Sequence, residues 1–216
     1  MTINDPDVVY TDLALAVLGT SLAWRLWRER TELARAGVVI MGALASAAFF
    51  GALFHAFFPS DTETRAGFFA WVPVSLSIML VSCTLLALGL RVLVPALSAS
   101  VRRLLVAVYC VSFVYAVLFV DESYGTIVRF YAPTLILFLI AAVREAVRQS
   151  ARAWWLLAAA FALSIVAALL QQLQVALHPV YFDHNALYHV MQGIALVLLY
   201  FGFRRASSSA RAPGAG

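Results

Sequence analysis

Apolar residues run through this chain in long blocks, and polar residues are gathered into short intervals between them. A helix that crosses a bilayer needs roughly 20 apolar residues. Seven blocks approach or reach that length: residues 11–27, 36–58, 67–90, 104–120, 126–143, 154–177 and 185–203. No interval between them is long enough to fold as a soluble domain, and no internal repeat stands out. The pattern predicts an all-α polytopic membrane protein of seven transmembrane helices. It forms one domain over residues 1–205, followed by a disordered tail over 206–216, where Ser, Ala and Gly dominate. Pro73 inside the third block predicts a kink. Trp24, Trp27, Trp154 and Trp155 predict an aromatic belt at one interface.

Charge adds orientation. The chain has 15 basic residues, all arginine. Thirteen of them flank the first, third and fifth intervals or follow the last block; only Arg65 and Arg129 belong to the other side. Basic ends stay in the cytoplasm, so the N-terminus is expected outside and the C-terminus inside. Most acids mirror this: Asp5, Asp7, Asp12, Asp61, Glu63, Asp121, Glu122 and Asp183 fall on the outer side, against Glu29, Glu32 and Glu145 on the inner.

Composition sharpens the class. The chain is 63% hydrophobic over 216 residues, where a soluble domain is closer to half. The excess is spread over all blocks, so it does not describe a soluble domain with one anchor. The opening residues, MTINDPDVV, are acidic where the n-region of a signal peptide is basic, so no cleavable leader is expected. With no lysine, Schiff-base chemistry is excluded, and with it retinal attachment. The net charge of +4 is accounted for by orientation and implies no nucleic-acid partner. Cys83 and Cys110 fall inside apolar blocks and read as small buried hydrophobes.

Candidate chemistry lies at the outer end. All four histidines belong there: His55 one turn from the end of the second block, His178 and His184 around the last outer interval, and His189 one turn inside the seventh block. Histidine is the commonest metal ligand, and ionisable residues at membrane depth are functional candidates. The stretch 181–192, YFDHNALYHVMQ, holds two of them. His184 and His189 are five residues apart, about 140° on a regular helix, so they meet one ion only if His184 precedes the helix and its backbone turns inward. Asp183 then reads either as the helix N-cap or as a reacting group. Gln192 shares the face of His189, and Gln171, Gln172 and Gln174 form a polar group that would line a cavity facing the histidines. Ser46, Gly42, Gly51 and Gly193 read as close helix contacts.

Seven helices, a histidine at the outer end of the second and a histidine pair opening the seventh resemble the CREST superfamily, which includes alkaline ceramidases and adiponectin-receptor-like proteins. The resemblance implies a zinc ion held by one histidine of the second helix and two of the seventh. It also implies an assisting aspartate and serine, and hydrolysis of a lipid amide or ester by zinc-bound water. Carried over by position, His55 and His189 are metal ligands; the displaced His184 would be the third, with Asp61 or Asp183 as catalytic base or as a group supporting the ligands. This chain departs from the pattern at three places. Its closest match to His-x3-His is residues 185–189, NALYH; Gly51 stands where the serine belongs; the third block carries no aspartate. The expectation is therefore a zinc-dependent, ceramidase-like hydrolase acting on a membrane lipid, in a bacterial plasma membrane. The alternative is a non-catalytic seven-helix protein that binds a lipid or partner, with structural or pH-sensing histidines. A small transporter fits less well, because paired broken helices are missing.

Overall fold

The computed structural model describes residues 4–58, 62–178 and 181–209, and Asp61 lies outside them. It forms seven helices: α1 (Pro6–Trp27), α2 (Glu32–Phe57), α3 (Arg65–Leu93), α4 (Ala99–Phe119), α5 (Tyr124–Gln149), α6 (Arg152–Gln172) and α7 (His184–Ser209). Each apolar block becomes one helix because a capping side chain precedes it or the chain turns sharply. Thr31, Thr64, Ser98 and Ser123 each accept the backbone N–H three residues on, at 3.1 to 3.3 Å. Such caps satisfy donors that no helical carbonyl can reach. Ser150, in the left-handed region at φ 48°, breaks the chain between α5 and α6. Asp121 supports the start of α5. Its carboxylate accepts from the Thr126 hydroxyl and from the N–H and hydroxyl of Ser123, and these donors hold it below the usual carboxylate range, Thr126 contributing most.

The protein is a helical membrane protein. Among the described residues, six helices are long and apolar enough to cross a bilayer. The exception is α1, which carries Asp7, Thr11, Asp12 and Arg25. All helices but α1 run on past the apolar blocks at their arginine-rich ends. α5 continues to Gln149 because buried Glu145 accepts from Arg148 at 2.7 Å and from Gln149. α7 continues to Ser209, beyond the domain boundary expected at residue 205, and the buried Ser207 hydroxyl accepts from Thr31 at 2.8 Å. The rest of the expected tail, 210–216, lies outside the described residues. α6 stops at Gln172 rather than 177, because Gln174 sits at φ 54°.

Six helices close a ring in the order α1, α2, α3, α5, α6, α7 and back to α1, while α4 lies outside it against α3 and α5. α4 buries little beyond Phe113 and Val117, and Leu104, Val108, Val111, Tyr115 and Phe119 face outward, as lipid contact requires. The inner half of the ring is filled by a continuous apolar core that includes Leu26, Met41, Leu85, Phe138, Leu157 and Phe203. Trp24, Trp27 and Trp155 are exposed at that end, consistent with the expected belt.

Candidate functional site

The outer half of the ring is not filled. A cavity of about 360 Å³ lies inside it, walled by all six ring helices and by none of α4. On α2 its lining runs from His55 down to Leu44, eleven residues or about 16 Å. Most of the wall is apolar: Leu15, Leu44, Phe54, Trp71, Val74, Ile78 and Ile127 among others. The polar lining comprises Asp12, His55, His189, Gln192 and the tyrosines Tyr124, Tyr131 and Tyr188, joined by Thr62, Glu122, Ser123, Gln171 and Asn185. Over the outer end, the Trp71 indole N–H donates to the Glu122 carbonyl at 2.8 Å, and Phe54 packs on Trp71 with ring centroids 5.1 Å apart.

The centre of the polar set is the seam between α1 and α7. His189 Nε2 lies 3.2 Å from Asp12 Oδ1, with the two side chains only 10% and 5% exposed. The other ring nitrogen, Nδ1, is 3.1 Å from the Thr11 hydroxyl. That hydroxyl has one proton and also lies 2.8 Å from the Asp7 carbonyl and 3.0 Å from that of Val8. Three proton arrangements satisfy the set. In one, Thr11 donates to the imidazole, which donates to a carboxylate. In the second, Thr11 donates to the helix backbone and an imidazolium donates both to Thr11 and to Asp12. In the third, Thr11 again donates to the backbone, a neutral imidazole donates from Nδ1 to Thr11, and a protonated Asp12 donates to Nε2. In each case both ring nitrogens are engaged by protein atoms.

Gly51 makes room for this pair. A Cβ built on it would sit 3.0 Å from Asp12 Oδ2, so the carboxylate approaches α2 where a side chain would stand. The CREST pattern places its serine here; in this chain the position is cleared for an acid from α1. Below, the Ser164 hydroxyl donates to buried Gln192 Oε1 at 3.0 Å, tying α6 to α7.

The remaining sequence candidates divide. His55 lines the same cavity as His189, and its Nδ1 is 3.9 Å from Asp5 Oδ2. His184 is the first residue of α7 and does not turn inward; it stands 3.9 Å from Asp183, on a face about 140° from His189. Asp183 caps α7: its Oδ1 accepts the Ala186 N–H at 2.8 Å, and its own N–H donates to Asp7 Oδ2 at 3.1 Å. Gln171 does line the cavity and donates to Asn185 Oδ1 at 3.0 Å, with Gln172 donating to Gln171 from outside. His178 is in the outer loop, bridged to Phe182, and accepts the Tyr181 N–H at 3.1 Å. Gly42 is no close contact, since nothing lies within 4 Å of a Cβ there, whereas Ser46 accepts from Ser77 at 3.0 Å.

Zinc takes three or four ligands at about 2.0–2.3 Å. Among the described residues no three His, Cys, Asp or Glu side chains converge on one point. His189 spends both nitrogens on Thr11 and Asp12, and His184 lies on another face. As arranged, the described donors do not fit the expected centre.

Sequence comparison places the chain in a family without assigning chemistry. A family model described as a family of unknown function (DUF6962) matches residues 8–208. The chain belongs to that family. No curated protein and no solved structure matches it significantly. The matched span takes in nearly the whole ring, from the α1–α7 seam to the end of the apolar core.

Asp12 and Thr11 are the residues that sequence reasoning missed. The signal was present: Asp12 falls inside the first apolar block, and an acid inside a membrane helix is a functional candidate on its own. It was counted instead among the outer acids that mark orientation.

Proposed function

We propose that this protein binds a membrane amphiphile, holding its apolar part in the ring cavity and its polar end against the Asp12–His189 pair. The observation that carries this reading is the buried pair set in the wall of a cavity whose surface is mostly apolar. A volume of about 360 Å³ is in the range of small-molecule pockets, which combine apolar walls with a few fixed polar groups. The Asp12 carboxylate, with Oδ2 turned toward Gly51, suits a head group that donates hydrogen bonds, such as an amine or hydroxyl. The arginine distribution puts the cavity near the outer face, which in a bacterial plasma membrane is the side of the outer leaflet.

The test uses a nitroxide-labelled long-chain amine titrated into detergent-solubilised protein and read by quenching of Trp71. Trp71→Phe serves as the blank. Saturable quenching is expected in the wild type, with an affinity about tenfold lower in Asp12→Asn, as losing one charged hydrogen bond implies. Quenching that grows linearly with probe, or that is unchanged in Asp12→Asn, contradicts the proposal.

A zinc-dependent hydrolase of the CREST type is the second reading. It is favoured by one observation, that His55 of α2 and His189 of α7 line the same cavity. Metal analysis of the purified protein separates the two. About one zinc per chain, lost in His189→Ala, supports the hydrolase; metal-free protein that is folded and indifferent to chelator supports the binding reading.

A further inference from the structure

Away from the ring cavity, sulfur gathers where α4 meets α3. Met79 and Cys83 are four residues apart on α3 and therefore stack on one face of it. Cys110, midway along α4, meets this face. Its Sγ lies 3.4 Å from Met79 Sδ, and the Cys83 thiol is near enough to interact with it electrostatically. Both cysteines are free thiols, and all three residues are partly buried. The chain has only two cysteines and four methionines, so both thiols and one of the few thioethers gather at one helix–helix contact. Their surroundings are apolar: Met79 packs with Ile78 and Tyr109 against the Phe113–Val117–Ile127 cluster.

We propose that Met79, Cys83 and Cys110 form a binding site for a soft monovalent cation, Cu(I). Thiolate and thioether donors select Cu(I) over hard cations. Charge points the same way. Net charge is costly at membrane depth, and Cu(I) bound by one thiolate is neutral. On binding, one thiol loses its proton to solvent and its sulfur forms the copper bond. The second thiol and the thioether bind as neutral donors. Zn(II) on the same three groups would need both thiols ionised and a fourth ligand to complete its tetrahedron.

The test is an anaerobic titration of the full-length protein in detergent, with Cu(I) supplied from the chromogenic chelator bathocuproine disulfonate. The wild type is expected to withdraw about one copper more than the Cys83→Ser/Cys110→Ser double variant, a difference that subtracts any copper held by histidines elsewhere. Met79→Leu, which conserves volume, is expected to keep the wild-type melting temperature while weakening binding about tenfold. X-ray absorption of the loaded wild type is expected to show sulfur ligands only. Equal copper uptake by the wild type and the double variant, or nitrogen ligation in the loaded wild type, overturns the proposal.

Discussion

Gly37 near the inner end of α2 and Gly51 near its outer end clear space for opposite purposes. A Cβ on Gly37 would stand 2.7 Å from Leu26 Cδ2 and 2.8 Å from the ring of Phe203, both fully buried. A Cβ on Gly51 would stand 3.0 Å from a carboxylate oxygen beside a cavity. One glycine lets apolar side chains close the bundle. The other lets an acid approach in a part of the bundle that stays open. Two structural tasks are thus divided along one helix: the inner half supplies cohesion, and the outer half gives up close packing to hold a polar pair against a void.

If that division is right, substitutions at the two ends should fail differently. The largest effect on stability is expected from Asp12→Ala. It leaves His189 buried without its acid, and breaking one side of a buried pair costs about 3 kcal/mol; a denaturant midpoint in detergent measures it. Gly37→Ala should follow, at about 1 kcal/mol net. The steric cost of roughly 1–3 kcal/mol is partly offset by the better helix propensity of alanine, about 1 kcal/mol. Gly51→Ala gains the same propensity and meets only the tip of one side chain, so its melting temperature should stay near the wild type while ligand affinity falls. A reversal, with Gly51→Ala the less stable variant, would break the comparison.

Smaller effects sharpen the roles of the outer residues. Asp183→Ala removes the α7 cap and should cost about 1 kcal/mol, whereas His184→Ala, half-buried and only loosely paired, should stay within about 0.5 kcal/mol. If His184→Ala instead abolishes ligand or metal binding, the separation of His184 from His189 described above is wrong. The smallest effect belongs to Asp121. Its carboxyl is held below the ordinary carboxylate range by Thr126 and Ser123. The stabilisation it contributes is therefore complete above the ordinary aspartate value and is lost as pH falls through the lowered folded-state value. Asp121→Asn should trail the wild type slightly at neutral pH, and the difference should vanish in strong acid; a constant difference across that range would remove the carboxylate from the account.

Much of the fold was legible because bilayer length and charge asymmetry act on composition alone. Seven apolar blocks, with arginine clusters at alternate intervals, became seven helices in the same order. What composition does not carry is azimuth and neighbour. α4 is as apolar a block as its neighbours, yet it lies outside the ring, a fact decided by which faces pack and not by hydropathy. The same gap explains the site. Depth put His55 and His189 at the same end of the bundle, where they line one cavity, but nothing in the spacing told that α1 and α7 are adjacent, so Asp12 was not connected to His189. The 140° argument did hold, leaving His184 on another face, and the capping reading of Asp183 is what its hydrogen bond to Ala186 shows. Gly51 was legible as a close contact; its neighbour, a carboxylate, was not.

The central claim is that the outer cavity and the Asp12–His189 pair form one binding site. It is tested most directly by the nitroxide-amine titration on the series wild type, Gly51→Ala and Gly51→Leu, with Trp71 quenching as the readout and the melting temperature measured alongside. The account predicts that affinity falls stepwise as the side chain displaces first the carboxylate and then the cavity, by about tenfold at alanine and to no saturable binding at leucine, while the alanine variant melts as the wild type does. Undiminished saturable quenching of Trp71 in folded Gly51→Leu would contradict it.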